Sequence, residues 1–278
     1  MAFFFRILTI LSIFTALSME AYIEIFCHLS GIISLFTLVL LEIVLGIDNI
    51  IFIAIICGNI ANKNQRKQAR FIGLLLALIV RIILLSTISF ITKMTNPFFH
   101  IGDMPVTGRG IILFGGGSFL IVKTINEIYH KFKIADHEES AKSRQLSWTK
   151  AIIQITLIDI VFSFDSIITA IGVTSDHPDA AVALATMIMA VVLSMIAMLL
   201  FAPYVSDFIE KYPTIKMLAL AFLVVIGLIL VIEALEDASV IHLPHGVNIK
   251  TYAYIALLFS GIVEFLNVRL RNVKSAKG

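Results

Sequence analysis

Leu41-Glu42-Ile43-Val44-Leu45-Gly46-Ile47-Asp48-Asn49-Ile50-Ile51 is an apolar run that holds two carboxylic acids and an amide near its centre. The same order of residue types returns at Ile158-Asp159-Ile160-Val161-Phe162-Ser163-Phe164-Asp165-Ser166-Ile167-Ile168. A constant offset of 117 residues pairs Glu42 with Asp159, Asp48 with Asp165, and Asn49 with Ser166. A carboxylate at the centre of a bilayer helix costs roughly 2.5–3.5 kcal/mol on insertion scales, so four amount to about 10 kcal/mol. A cost placed twice in one pattern points to a binding site.

The surrounding composition makes the bilayer the right solvent. The chain is 59% hydrophobic and 14% charged, against about 45–50% and about 25% in soluble domains. The excess sits in long apolar blocks, which predicts an all-α polytopic membrane protein without a large soluble domain. Spans are expected at 31–57, 71–91, 110–129, 150–173, 180–201, 216–235 and 251–268. A Pro- and Gly-containing loop is expected from 92 to 109. Residues 3–18 form a further apolar block that could be a signal, an extra helix or an extension before a start at Met19. Cys27 and Cys57 lie near opposite ends of the first core span, too far apart for a disulfide.

Gly227 through Glu233 weakly echo Gly117 through Lys123 at an offset of 110 residues. The reading is therefore two three-helix repeats and one more helix. The corresponding segments are the optional residues 1–18, a first repeat at 19–130 and a cytoplasmic loop at 131–149. A second repeat at 150–237 precedes a seventh helix with its basic tail at 238–278.

Charge gives the orientation. Loops 58–70, 130–150 and 202–216, with the tail after 268, hold 15 Lys and Arg, whereas the alternate loops hold only Lys93, Arg109 and Lys250. The positive-inside rule then puts the core N-terminus outside and the C-terminus in the cytoplasm. Three spans per repeat, an odd number, invert the second copy, and inverted repeats with polar sites near the midplane are a transporter architecture.

On a regular helix Glu42 and Asn49 share a face, as do Asp159 and Ser166, with Asp48 and Asp165 on neighbouring flanks. Gly46 and Ser163 are small enough for close helix approach or local unwinding. Where the two repeat helices cross, the four acids, Asn49 and Ser166 would converge as an all-oxygen metal site, which suits Mn2+, Ca2+ or Mg2+. Metal and protons compete for such oxygens, so proton coupling follows. The structural alternative pairs the acids with Arg81 and Lys123 as fixed ion pairs. Two cations cannot neutralise four acids together with Glu233 and Glu264, however. Arg81 is either a counter-charge that adjusts the empty site or a structural partner, and Lys123 is a second candidate counter-charge. Glu233 and Glu264 read as interfacial. His242 and His245 with Glu236 and Asp237 read as a solvated outer loop.

The two acidic stretches, at 41–52 and 159–170, resemble the paired signatures of the TerC family of integral membrane proteins. The resemblance extends over roughly residues 30–270 and includes Thr95-Asn96-Pro97 and Lys216-Met217-Leu218-Ala219-Leu220. It implies metal-ion efflux, with Mn2+ favoured, because several members are understood as Mn2+ exporters grouped with the LysE-type exporters. The matching acidic and polar positions are Glu42, Asp48, Asn49, Asp159 and Asp165. The family's name comes from tellurite-resistance clusters.

No Gly-x-x-x-x-Gly-Lys-Ser/Thr loop is present to bind a nucleotide. An intramembrane aspartyl protease would pair two aspartates, but its Gly-x-Gly-Asp motif is replaced by Gly46-Ile47-Asp48 and Ser163-Phe164-Asp165. The expectation is thus a non-enzymatic secondary transporter with no permanent cofactor. Its partners are lipid, a metal ion and protons, not nucleic acid, and its oligomeric state is left open. Export of an amino acid or oxyanion, and a non-transporting role in a metal or tellurite stress complex, are the alternatives.

Overall fold

The computed structural model describes residues 23, 25–102, 104–136, 146–174, 180–241 and 249–275. The apolar block at 3–18, the loop residues His137, Glu138 and Glu139, and the histidines His242 and His245 lie outside them.

Six of the seven expected spans each fall within one helix, whereas the span expected at 71–91 is broken at Thr87 and runs from one helix into a short second one. In order the helices are α1 (Leu29–Gly58), α2 (Lys63–Ser86), the short α3 (Ile88–Met94), α4 (Gly108–Asp136), α5 (Trp148–Thr174), α6 (Ala180–Lys211), α7 (Pro213–Asp237) and α8 (Ile249–Ser275). Among the described residues, six are long and apolar enough to cross a membrane: α1, α2, α5, α6, α7 and α4 over Gly108–Phe132. The seventh expected span lies in α8, which is not among those six. The long runs of Ile and Val in α1 and α5 would favour strands in water. In lipid, where no solvent meets an open backbone group, the helix satisfies each one within its own segment.

Local signals fix some of the ends. The Asn62 side chain accepts the Asn64 backbone N–H at 2.9 Å and caps α2, while Pro213 opens α7 where a missing N–H does no harm. The loop expected at 92–109 carries more order than its Pro and Gly suggested. Pro97–Ile101 (β1) and Met104–Thr107 (β2) pair antiparallel. The turn begins at Gly102, whose φ of 63° suits a residue without Cβ, and the Phe98-Phe99 and Val106 residue types favour strand.

The chain forms two compact units. The first takes residues 1–93 and 146–205, hence α1, α2, α5 and most of α6; the second takes 94–145 and 206–278, hence the hairpin, α4, α7 and α8. Each unit draws helices from both halves of the chain.

In the first unit, α1 wears its polarity inside out. Leu35, Leu38, Glu42, Gly46 and Asn49 are buried, while Ile32, Ile33, Phe36, Leu40, Val44 and Ile47 are exposed. Apolar residues outward and acids inward is the pattern a membrane imposes on functional carboxylates. α2 packs on both α1 and α5, and a Cβ added at Gly73 would lie 3.0 Å from Ile155 Cγ2. That glycine draws α2 against α5 two turns before Arg81.

In the second unit, α4 and α7 cross at glycine. A Cβ on Gly117 would lie 2.7 Å from the Gly227 carbonyl oxygen, and one on Gly227 3.0 Å from that of Gly117. Two helix backbones approach this closely only where neither carries a side chain. α8 packs on α7 and leaves Tyr252, Ile255, Leu258, Phe259 and Ile262 exposed.

Candidate ion site

The buried charge of the first unit centres on Arg81. From the last third of α2 its Nη1 pairs with Glu42 Oε2 of α1, and its Nη2 lies 3.6 Å from Asp159 Oδ1 of α5. Its Nε donates to Ser163 Oγ at 3.1 Å. Ser163 in turn donates to Asp159 Oδ2 at 3.2 Å, and Asn49 Nδ2 of α1 donates to Asp159 Oδ1 at 3.1 Å. Three helices are thereby joined through five buried side chains. Arg81 is only 2% exposed, and a guanidinium at that depth needs its carboxylate partners.

The remaining expected positions are buried too. Asp48 and Asp165 sit on α1 and α5 six residues beyond Glu42 and Asp159, about 1.7 turns. Ser166 donates to the backbone oxygen of Ser163 in its own helix, at 3.3 Å. Lys123 lies on α4 in the second unit and forms no ion pair among the described residues. The structure therefore brings Glu42, Asn49, Asp159 and Arg81 into one bonded group. Among the described residues, no group of three or more His, Cys, Asp or Glu is placed to hold a metal ion.

Ser163 is the member that the sequence marks only as a small residue, suited to close approach or local unwinding. Its hydroxyl links Arg81 to Asp159, and its place in the repeat, opposite Gly46, was the available signal. The repeat offset of 117 residues also takes Arg81 to Met198 of α6. As Arg81 lies against Ser163, so Met198 lies against Gly46, its Sδ standing where a Cβ of that glycine would reach. The two halves thus present the same arrangement with different chemistry, guanidinium on hydroxyl in one and thioether on bare backbone in the other.

Glu233 and Glu264 fall outside this group. Glu233 Oε1 accepts from Lys250 at 3.0 Å, and its Oε2 lies 3.7 Å from Arg109. Arg109 Nη1 also donates to Asp237 at 2.5 Å. This partly exposed network ties the end of α7 to the beginnings of α4 and α8. Glu264 accepts from Asn267 at 3.4 Å.

Comparison with known proteins adds a second line. The sequence profile described as "Integral membrane protein TerC family" matches residues 27–278. A "UPF0053 protein" of Haemophilus influenzae is 43% identical over 241 residues, covering 87% of this chain and 94% of the relative. The "UPF0053 inner membrane protein YgdQ" of Escherichia coli is 43% identical over 243 residues, with the same coverages. The "UPF0053 inner membrane protein YoaE" of Escherichia coli is 40% identical over 233 residues, 84% of this chain but 42% of that longer protein. No solved structure matches.

Proposed function

The chain belongs to the TerC family of integral membrane proteins, and from that premise we propose that it exports a divalent metal ion, Mn2+ before others, through the buried carboxylates of α1 and α5. Family membership and six apolar helices support multi-pass membrane insertion and a transport-type role.

One observation carries it. Among the described residues, four acids are buried (Glu42, Asp48, Asp159 and Asp165) against one buried base, Arg81. An excess of buried carboxyls is costly unless protons or a cation make up the difference. Oxygen donors without thiolate or imidazole favour a hard ion. Protons and metal would exchange on the same oxygens, which couples efflux to proton entry.

An inverted three-helix repeat belongs to the same reading. Its equivalent first helices, α1 and α5, carry the acids, and its equivalent third helices, α4 and α7, meet glycine to glycine. The lipid-facing apolar surface of α8 favours a seventh span. Relatives named as inner membrane proteins support a bacterial inner membrane location, and the basic loops favour a core N-terminus outside and a C-terminus in the cytoplasm. A second reading, a non-transporting component of a stress-response complex, draws on the ion pair itself: Arg81 with Glu42 and Asp159 would then be a brace.

Cellular metal content under Mn2+ load separates the two. Cells lacking the protein are complemented with wild type, Asp48→Asn or Asp165→Asn, with each level in the membrane measured. Export predicts that wild type lowers manganese selectively while either Asn variant, present in the membrane, does not. Equal manganese in all three strains removes the export reading.

A further inference from the structure

Two of the proposed carboxylate ligands are already held by a cation that belongs to the chain. Arg81 reaches Glu42 through Nη1, approaches Asp159 through Nη2 and bonds Ser163 through Nε. A guanidinium is charged at every accessible pH and carries five donors and no acceptor. It lies between the oxygens that a metal ion would have to share. In this arrangement no three His, Cys, Asp or Glu side chains among the described residues are grouped to hold a metal ion.

We propose that Arg81 is a tethered substitute cation, which holds Glu42 and Asp159 in the empty site and is displaced when the transported divalent ion takes them. The proposal rests on the export reading above and names how that site is regulated.

The exchange has a built-in selectivity. A monovalent ion replaces one positive charge by one and gains little, whereas a divalent ion brings two. The competitor also weakens apparent affinity by the fraction of time the carboxylates are unoccupied by Arg81. An exporter gains from that, because a deep cluster of acids without a competitor would retain its cargo. Only one half of the repeat carries the device, since the position equivalent to Arg81 holds the uncharged Met198 against Gly46. Ser163 is the positioning residue: its hydroxyl accepts from Arg81 and donates to Asp159, keeping the guanidinium aimed between the acids.

The test uses purified full-length protein in lipid nanodiscs, with equilibrium Mn2+ binding measured for wild type, Arg81→Met and Arg81→Lys. Met is the residue found at the equivalent position of the other half and has a similar reach without charge. Arg81→Met should bind Mn2+ about tenfold or more tightly than wild type, because the competitor is gone. In proteoliposomes it should release the ion more slowly. Arg81→Lys, whose compact ammonium cannot fork between two carboxylates, should fall between them. Added guanidinium chloride should compete with Mn2+ in Arg81→Met and leave wild type unchanged.

A folded Arg81→Met, judged by its thermal melt, that binds Mn2+ no more tightly than wild type overturns the proposal. If Arg81→Met does not fold, wild-type affinity in Arg81→Lys overturns it instead. Absence of Mn2+ binding in wild type and both variants removes the export reading along with it. Wild-type binding with unchanged variants removes only the role of Arg81.

Discussion

The side-chain amide of Asn49 donates to Asp159 across 3.1 Å, so the first acidic stretch is hydrogen-bonded directly to the second. Its repeat counterpart, Ser166, instead donates to the Ser163 carbonyl within its own helix. The two positions match in sequence and differ in what they hold together. Asn49→Leu should therefore destabilise the protein by about 1 kcal/mol, a value between the bilayer average of about 0.6 and the maximum of about 1.7 for interhelical hydrogen bonds. Ser166→Ala should stay within about 0.5 kcal/mol, as removal of a local side-chain bond to the helix backbone usually does. Thermal melts of both variants in lipid, run side by side, check the difference.

Much of this was legible in the residues and some was not. The helices could be read because apolar runs the width of a bilayer leave few other structures open, and the acids stood out because such runs exclude charge. Arg81 could be singled out as a charge but not assigned to Glu42, since sequence order does not say which helices touch. The same gap hid the division into units, which collects α1, α2 and α5 from opposite halves of the chain. Ser163 was overlooked because a small residue in an apolar run reads equally well as packing. The hairpin reads as loop in the sequence because Pro97 and Gly102 outweigh Phe98, Phe99, Ile101, Val106 and Thr107 in a short segment.

Gly117 and Gly227 each place backbone where the other's Cβ would go, at 2.7 and 3.0 Å from a carbonyl oxygen. A carbonyl in a helix cannot turn aside, so an added methyl must push α4 and α7 apart. Alanine at either site gains up to about 1 kcal/mol in helix propensity and loses more to overpacking, typically about 1–3 kcal/mol. Gly117→Ala and Gly227→Ala should each be destabilising. The double variant should fall short of their sum, because helices already separated by one methyl have room for the second. A double-mutant cycle on melting in detergent, with additive losses as the contrary result, tests this.

Arg109 and Asp237 each occupy the unfavourable end of their own helix. Arg109 is in the first turn of α4, where the backbone presents positive partial charge, and Asp237 is the last residue of α7, where it presents negative. Lys250 and Glu233 repeat the arrangement at α8 and α7. The pairing therefore offsets two local misfits. Both groups are about a fifth exposed, so screening holds the pair to roughly 0.5–1 kcal/mol. Arg109→Ala alone should be the more damaging change, because it leaves Asp237 against the α7 terminus. Arg109→Ala with Asp237→Ala should recover part of the loss. The difference should shrink as NaCl is raised; a double variant worse than the single, at any salt, contradicts the account.

Gly46 offers the sharpest contrast with Gly117, because what stands over it can move. The nearest atom to an added Cβ is the sulfur of Met198, with its terminal methyl 3.2 Å away. A thioether on three rotatable bonds adapts to a methyl at little cost, where the carbonyl of Gly227 cannot. Gly46→Ala should then change stability by less than about 0.5 kcal/mol, the gain in helix propensity offsetting the displacement of Met198. Met198→Ala alone should cost about 2 kcal/mol or more, since that side chain is buried and its removal leaves a cavity beside α1. In the double variant the new methyl fills part of that cavity, so the combined loss should be smaller than that of Met198→Ala by itself. Melting temperatures of the three proteins decide it: if Gly46→Ala is as damaging as Gly117→Ala, the neighbour over Gly46 is held as rigidly as backbone, and the thioether is not free to give way.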